Sequence, residues 1–197
     1  PDWDRALAFT RAVARARLPL ALVRTSTPAE TWTNLALAGH ERTLAALRRY
    51  LSARGAGPGR CMVLLGLVGR RRGVAAAFAE VLAIGGRYGA VRAPATFGRQ
   101  WHRNRFRTPY LRNSLWDAGY AVDTLETAVA WDRVPAMATA LAPAIRRGLA
   151  DEGERVHAFT HLSHVYPTGS SLYTTFVFRL ADDPDVTLAR WRRLKGL

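Results

Sequence analysis

The stretch from Val156 to Leu180 constrains the fold of this chain more than any other segment. Apolar and polar side chains alternate on both sides of the corner Tyr166-Pro167-Thr168-Gly169, which is typical of two antiparallel strands joined by a tight turn. Residues of the second strand divide by parity into two sets. The more apolar set, which we expect to pack on helices, is Leu172, Thr174, Phe176, Phe178 and Leu180. We expect the other set to face something polar and enclosed: Ser171, Tyr173, Thr175 and Val177.

Further helices and strands are predicted along the rest of the chain. The capping box Thr27-Pro28-Ala29-Glu30 is expected to start one helix. The other helical patterns occupy Asp2–Ala16, Glu41–Arg54, Gly73–Ile84, parts of Phe97–Asp117, Asp132–Ala150 and a segment after Asp185. Strand patterns occupy Leu18–Arg24, Arg60–Val68 and Tyr120–Val129. The pair Gly85-Gly86 is expected to stop one helix, and Asp132 to cap another.

The order of these elements predicts the fold class. The second half reads β-α-β-β-α, a ferredoxin-like split βαβ unit, and the first half follows that pattern more loosely. We therefore predict an α+β fold, a mainly antiparallel sheet with helices on one face. No linker is long enough to separate two domains, so residues 1–197 are expected to form one unit.

Composition narrows the classes of protein. The net charge of +14 invites nucleic-acid binding, but only one of the 29 basic residues is a lysine, and no aromatic residues interleave with the short arginine clusters to stack bases. The lone cysteine, Cys61, excludes an internal disulfide and indicates a reducing compartment, which favours a cytoplasmic protein. It lies in the most apolar strand, where a reactive thiol is not expected.

Three histidines on the predicted hairpin invite a metal site. On a strand, His157 and His161 would face one way and His164 the other, and no second cluster of ligands accompanies them. We therefore predict no metal site. His161 and Tyr173 are left with two interpretations: side chains packed with their polar atoms satisfied, or side chains that take part in chemistry.

A second polar group lies between Arg105 and Thr127. One predicted helix is bracketed by Arg107 and Arg112. The strand after it carries the polar residues Asp123, Thr124 and Glu126. These residues either form ordinary surface ion pairs or aim a guanidinium at a phosphate or carboxylate in a cleft.

Three motifs together resemble a known family. "TPYLRN", "DTLETAVAWDRV" and "HLSHVYPTGSSLY", in this order and spacing, are similar to the C-terminal substrate (cap) domain of FAD-linked oxidases of the vanillyl-alcohol-oxidase type. Within that type, the resemblance is to alkyldihydroxyacetonephosphate synthase and its bacterial relatives. It spans most of the chain, from the first helix to Arg193.

The resemblance implies roles for four residues. Tyr173 matches a tyrosine taken as a proton-transfer group, and Arg112 matches an arginine that helps hold the substrate phosphate. Thr124 matches a small hydroxyl residue near the flavin. His161 stands where the animal enzymes have arginine, which implies an altered role in substrate binding.

The resemblance also implies a reaction and a cofactor. The cofactor is FAD, and the reaction exchanges an acyl for an alkyl group on dihydroxyacetone phosphate through a flavin N5 adduct, without net redox, in ether lipid biosynthesis. One alternative is an FAD-dependent oxidase or dehydrogenase of a 2-hydroxy acid of the D-lactate or glycolate type. A second alternative is a basic α+β module that binds nucleic acid.

In this family the cap packs over a flavin held by a separate FAD-binding domain, and a His-rich segment follows the last helix. Neither occurs in residues 1–197, so we expect this sequence to be a fragment whose partner is the FAD-binding domain of the same protein. A small anionic or lipid-derived substrate is the expected ligand. A lipid substrate would add peripheral membrane contact, and a homodimer is a further expectation.

Overall fold

The computed structural model describes residues 1–37, 41–106 and 110–197. The helices are α1 (Trp3–Arg15), α2 (Pro28–Leu37), α3 (Glu41–Ala53), α4 (Arg71–Arg87), α5 (Ala95–Asn104), α6 (Leu111–Asp117), α7 (Val134–Arg147) and α8 (Pro184–Lys195), with a 3-10 turn at Ala150–Glu152. The strands are β1 (Leu20–Ser26), β2 (Val63–Leu67), β3 (Tyr120–Ala130), β4 (His157–Val165) and β5 (Gly169–Arg179).

All five strands form one antiparallel sheet in the order β2-β1-β4-β5-β3. Strand β5 lies between β3 and β4, so β3-α7-β4-β5-α8 is the predicted split βαβ unit. In the first half, β1 and β2 are direct neighbours with no strand between them. The α+β prediction is confirmed.

The parity of the hairpin decides which side of the sheet is the core. Leu172, Phe176 and Phe178 are at most 1% exposed. Phe176 and Phe178 pack with residues of α7 and α8, and Leu172 packs with residues of α1 and α7. Burying each of these side chains contributes about 1.5–3 kcal/mol. The predicted apolar set therefore faces the helices, and Tyr173, Thr175 and Val177 are only partly buried on the opposite side, which we call the open face.

Helices α1 and α4 cover the other half of the same core. Phe9 and Val13 of α1 pack with Val81 and Ile84 of α4 above strands β1 and β2. A hydrogen bond of 2.6 Å between the hydroxyls of Thr10 and Thr25 ties α1 to β1 within this layer. Helices thus fill the core side along the whole sheet.

Two predicted helix boundaries are wrong. Helix α4 continues through Gly85 and Gly86 to Arg87, because tertiary packing holds it: Gly85 is buried where a Cβ would lie 3.6 Å from the Phe9 ring. Asp132 makes no capping hydrogen bond, and α7 begins at Val134 after an uncapped Arg133. Asp183 does cap a helix, since its carboxylate accepts from the N–H of Asp185 at the start of α8.

The hairpin turn is tightly packed against the end of β3. The indole N–H of Trp131 donates to the carbonyl of Tyr166 over 2.9 Å. A Cβ on Gly169 would lie 2.3 Å from the carbonyl oxygen of Val129, so only glycine fits where β5 begins. Register shifts between Leu162 and Val165, where β4 bulges.

Within the described ranges, no helix is both long and apolar enough to cross a membrane.

Candidate functional site

A row of polar side chains crosses four strands of the open face. Ser26 of β1 is paired with His161 of β4, His161 with Tyr173 of β5, and Tyr173 with Glu126 of β3. Since paired residues of neighbouring strands point to the same side of a sheet, all four side chains lie on the open face. The sheet register thus brings together Tyr173 and His161, two of the residues singled out in the sequence.

Glu30 of α2 completes this row from outside the sheet. The predicted capping box forms only in part: the hydroxyl of Thr27 accepts from the N–H of Glu30 over 3.4 Å. The carboxylate of Glu30 turns to the sheet instead, where Oε1 lies 2.5 Å from Nη2 of Arg24 and 3.0 Å from Nδ1 of His161. At 1% exposure, Glu30 is a buried acid held between two basic groups.

Electrostatics keep Glu30 ionised despite its burial. Burial alone would raise the pKa of its carboxyl, but the contact with His161 and the charges of His161 and Arg24 outweigh that cost and hold the pKa below its ordinary value. The buried group is therefore a carboxylate, and it fixes the side chains on either side of it.

His161 connects Glu30 to Tyr173. Its side chain is 6% exposed, and its ring stacks on the Tyr173 ring with 5.0 Å between centroids and 30° between planes. Such an aromatic pair contributes about 0.5–1.5 kcal/mol beyond the area that it buries. The four residues Arg24, Glu30, His161 and Tyr173 form one continuous cluster, which we call the Glu30 cluster.

Several polar atoms around this cluster are buried without a hydrogen bond among the described residues. They are Nε of Arg24, Oγ of Ser26, Oε2 of Glu30 and Nδ1 of His161. Nδ1 of His161 is close to Glu30, but the direction of approach is not that of a hydrogen bond. Each unsatisfied buried group costs about 1–3 kcal/mol, and four of the five such atoms among the described residues lie here, so the cluster is held together at a cost in stability.

Glu126 ends the row at β3 and binds a second group of polar residues. Its Oε1 accepts from the hydroxyl of Ser171 over 3.0 Å and lies 3.8 Å from Nε2 of His164. The prediction that His164 faces away from His161 is wrong, because the bulge of β4 returns His164 to the open-face side. His164 remains 66% exposed.

Thr124 lies on the same face, one row from Tyr173, opposite Thr175. Its backbone is capped at the free edge of the sheet: the N–H donates to Oδ1 of Asp123, and the carbonyl accepts from Nζ of Lys195, each over 2.8 Å. Trp191 donates to the other oxygen of Asp123 over 2.5 Å. This end of β3 is therefore rigid.

Arg112 is not brought to the cluster by any direct contact. It is exposed on α6, and it makes no hydrogen bond or ion pair within the part of the chain that the structure describes. Arg107 lies outside the described residues. Helix α5 approaches β2, with Gly98 near Leu64, whereas α6 contacts β3 at the opposite edge of the sheet.

Arg24, Ser26 and Glu30 were missed by the sequence analysis. Glu30 was assigned to a capping box, and the predicted strand ended at Arg24, short of Ser26. The alternation of Arg24 and Ser26 with apolar or small neighbours was the sequence pattern that could have placed both side chains on one face of β1. Burial raises the pKa of the Cys61 thiol to about 12, so this cysteine is not a reactive thiolate.

An isoalloxazine ring is planar, with hydrogen-bond donors and acceptors along one edge. The open face offers the partly exposed ring of Tyr173 and, in the same cluster, the partly exposed guanidinium of Arg24. These residues fit a planar group with a polar edge.

Comparison with curated proteins finds two similar enzymes. Alkyldihydroxyacetonephosphate synthase of Dictyostelium discoideum is 25% identical over 140 residues, which is 70% of this chain and 22% of that enzyme. The enzyme of the same name from Trypanosoma brucei brucei is 24% identical over 127 residues, 64% of this chain and 21% of that enzyme. The chain thus spans about a fifth of the length of these relatives.

Solved structures show the same fold. A structure of alkyldihydroxyacetonephosphate synthase in P212121 superposes on all of this chain with a TM-score of 0.84 and 22% identity, and the match covers 37% of that structure. A structure in P1 gives a TM-score of 0.79 at 19% identity over 36% of its length. The family "FAD linked oxidases, C-terminal domain" matches residues 1–195, and this chain belongs to that family.

Proposed function

We propose that this chain is the substrate domain of an FAD-dependent enzyme that exchanges an acyl group for an alkyl group on dihydroxyacetone phosphate. The proposal transfers to this chain the activity named for its relatives, which are alkyldihydroxyacetonephosphate synthases. The open face of the sheet is the reaction surface, and the FAD-binding domain of the same protein covers it.

One observation carries the proposal: the Glu30 cluster is a buried, charged group on the open face, held between strands β1, β4 and β5 and helix α2. Charged side chains are seldom fully buried, and ionisable groups in perturbed environments are concentrated at functional sites. Here Arg24, Glu30 and His161 are held together at 2.5–3.0 Å with unsatisfied polar atoms beside them. An anionic ligand that binds the partly exposed guanidinium of Arg24 would meet a side chain already fixed by Glu30.

Tyr173 is the proposed proton-transfer group. Its ring is fixed by the stack on His161 and by its place between β3 and β4, so its hydroxyl is presented at a constant position on the open face. A positioned acid or base of this kind contributes about 10²–10⁴-fold to a rate. Because a phenol ordinarily ionises well above neutral pH, a nearby guanidinium is needed to favour its anion.

Arginines supply that charge and bind the anionic substrate. Arg24 lies within the cluster, with its side chain 25% exposed, and Arg112 stands on α6 as the second proposed contact for a phosphate. A guanidinium binds phosphate oxygens through paired N–H groups, which orients the substrate as well as attracting it. His161 and Thr124 border the same surface from β4 and β3.

FAD, when bound, supplies the electron-accepting centre at which the dihydroxyacetone backbone is activated. Tyr173, Thr124 and the partly exposed guanidinium of Arg24 are the groups of this chain that would contact it. Their task is to orient the substrate, exclude water and move protons.

The test uses the full-length protein that contains this sequence. Purified protein should carry FAD and convert acyl-dihydroxyacetone phosphate and a fatty alcohol into the alkyl product. Tyr173→Phe should lower kcat by about 10²–10⁴-fold with the FAD content unchanged. The matched control is Tyr166→Phe, at a tyrosine that is 58% exposed on the hairpin turn, and it should leave kcat as in the wild type.

A second assay separates the proposal from a 2-hydroxy-acid oxidase. If D-lactate or glycolate bleached the flavin under anaerobic conditions and no alkyl exchange occurred, the proposed reaction would be wrong. Protein that contained no FAD would overturn the proposal altogether.

A further inference from the structure

Glu30 is the most buried charged group of the site, and the proposed function leaves it without a task. Its side chain is 1% exposed, and a single oxygen, Oε1, serves both Arg24 and His161. A carboxylate that only balanced Arg24 would have no reason to lie 3.0 Å from an imidazole nitrogen. The contact with His161 is therefore the feature to explain.

The two ring nitrogens of His161 have different surroundings. Nδ1 is buried against Glu30. The whole side chain is 6% exposed, and because Nδ1 is buried, this exposed surface belongs to other atoms of the side chain. Nε2 is at the far corner of an imidazole from Nδ1, on the side away from the carboxylate, and the ring lies flat against Tyr173. One nitrogen is thus committed to Glu30, and the other is turned toward the open face.

We propose that Glu30 is a positioning residue that keeps a proton on Nδ1 of His161, so that Nε2 becomes a second proton acceptor beside Tyr173 on the open face. This inference rests on the proposed function, which makes that face the reaction surface. The negative charge of Glu30, 3.0 Å from Nδ1, favours the tautomer that carries its proton on Nδ1, and this tautomer leaves Nε2 as the base.

The proton step balances within the cluster. An O–H bond of a hydroxyl on the bound substrate breaks as an N–H bond forms at Nε2, and the electron pair stays on the substrate oxygen. His161 becomes an imidazolium, whose positive charge lies 3.0 Å from the carboxylate of Glu30. The proton returns to a leaving oxygen when the N–H bond breaks.

The other charged groups around His161 are compatible with this role. Arg24 is neutralised by the same carboxylate, and Glu126, across Tyr173 on β3, adds a second negative charge to the row. Tyr173 itself lies directly opposite His161. The site therefore carries two proton-transfer groups side by side, which suits a reaction in which one oxygen substituent leaves and another enters.

The tautomer of His161 is the direct test, and it needs no turnover. The full-length protein, labelled with ¹⁵N-histidine, gives distinct nitrogen signals for the two neutral tautomers, and His161→Gln assigns them. At a pH where the ring is neutral, the expected result is a proton on Nδ1 and a free electron pair on Nε2. A proton on Nε2 instead would overturn the proposal, whatever reaction the enzyme catalyses.

A double-mutant cycle in the alkyl exchange assay tests whether the pair acts as a unit. Glu30→Gln keeps the shape of the side chain but removes its charge, and it should lower kcat by about 10–100-fold with KM changed less than about twofold. His161→Gln should lower kcat at least as much, and Glu30→Gln combined with His161→Gln should be no slower than His161→Gln alone. Effects on kcat that multiply in the double variant would contradict the pairing.

Discussion

His161 and Tyr173 lie directly opposite each other on β4 and β5, with their rings stacked at 5.0 Å between centroids. The pairing depends on the register of the hairpin. If either strand slipped by one residue against the other, its ring would point into the helix-packed core, and an apolar residue of that strand would come to the open face. The geometry of the site is therefore set by the same alternation that builds the core.

Replacing His157 should make the free energy of unfolding less dependent on pH at mildly acidic pH. Burial, and then the charge of Arg146, lower the pKa of His157 from its ordinary value of 6.5. The unfolded chain thus takes up this proton first as the pH falls, so stability is lost between about pH 6.5 and the lower folded pKa. His157→Gln should abolish that loss in urea unfolding measured from pH 7.5 to 5.

The control for this experiment is His102→Gln, which replaces an exposed histidine on α5. Its pH curve should follow that of the wild type. An unchanged pH slope in His157→Gln would show that another group causes the loss.

Two substitutions of glycine by alanine should change the stability of the protein in opposite directions. A Cβ at position 169 would lie 2.3 Å from the carbonyl oxygen of Val129, which is backbone and cannot move aside, so Gly169→Ala should destabilise the protein by about 1–3 kcal/mol. Gly86 lies inside α4 with no atom within 4 Å of the added Cβ, and Gly86→Ala should stabilise it by about 0.5–1 kcal/mol. The midpoints of urea unfolding measure both. A neutral Gly169→Ala would mean that β5 does not approach Val129 so closely.

Asp123 should stabilise the free edge of β3 in a pH-dependent way. Partial burial raises the pKa of its carboxyl, but hydrogen bonds from Trp191 and Thr124 and the charge of Lys195 outweigh this and leave the pKa lowered. Asp123 therefore adds to the free energy of unfolding above the ordinary pKa of an aspartate, and this stabilisation is lost as the pH falls through the lower folded pKa.

Asp123→Asn should cost about 0.5–1 kcal/mol at pH 7, because the partly exposed carboxylate is screened by solvent, and this cost should vanish toward pH 2. The midpoint of urea unfolding measures it at each pH. Asp132→Asn is the matched control, since Asp132 is 77% exposed and 3.9 Å from Arg133. Equal effects of the two variants at pH 7 would refute the assigned role of Asp123.

Local patterns predicted the sheet well, because strand alternation and helix periodicity follow directly from burial. The order β4-β5-β3 came from the β-α-β-β-α pattern, and the apolar face of β5 from parity. Predictions failed where a tertiary contact overrode a local signal. Gly85 does not end α4, because Phe9 packs on it, and the bulge after Leu162 reverses the direction expected for His164.

The site was predictable only where it lies on one strand or motif. His161 and Tyr173 could be singled out on the hairpin, but their partner Glu30 is 131 and 143 residues away in sequence, in a segment whose capping pattern explained it locally. A carboxylate at the third position of a helix has a local use in almost any fold. Only the register of β1 on β4 shows that this carboxylate reaches His161.

The central claim is that FAD covers the open face at Tyr173, and hydroxyl-radical footprinting of the full-length protein tests it most directly. The oxidation of each tyrosine is measured by mass spectrometry in the FAD-loaded protein and after removal of FAD. Tyr173 should be protected several-fold by FAD, whereas Tyr166, exposed on the hairpin turn, should be oxidised equally in both. Equal oxidation of Tyr173 with and without FAD would contradict the account.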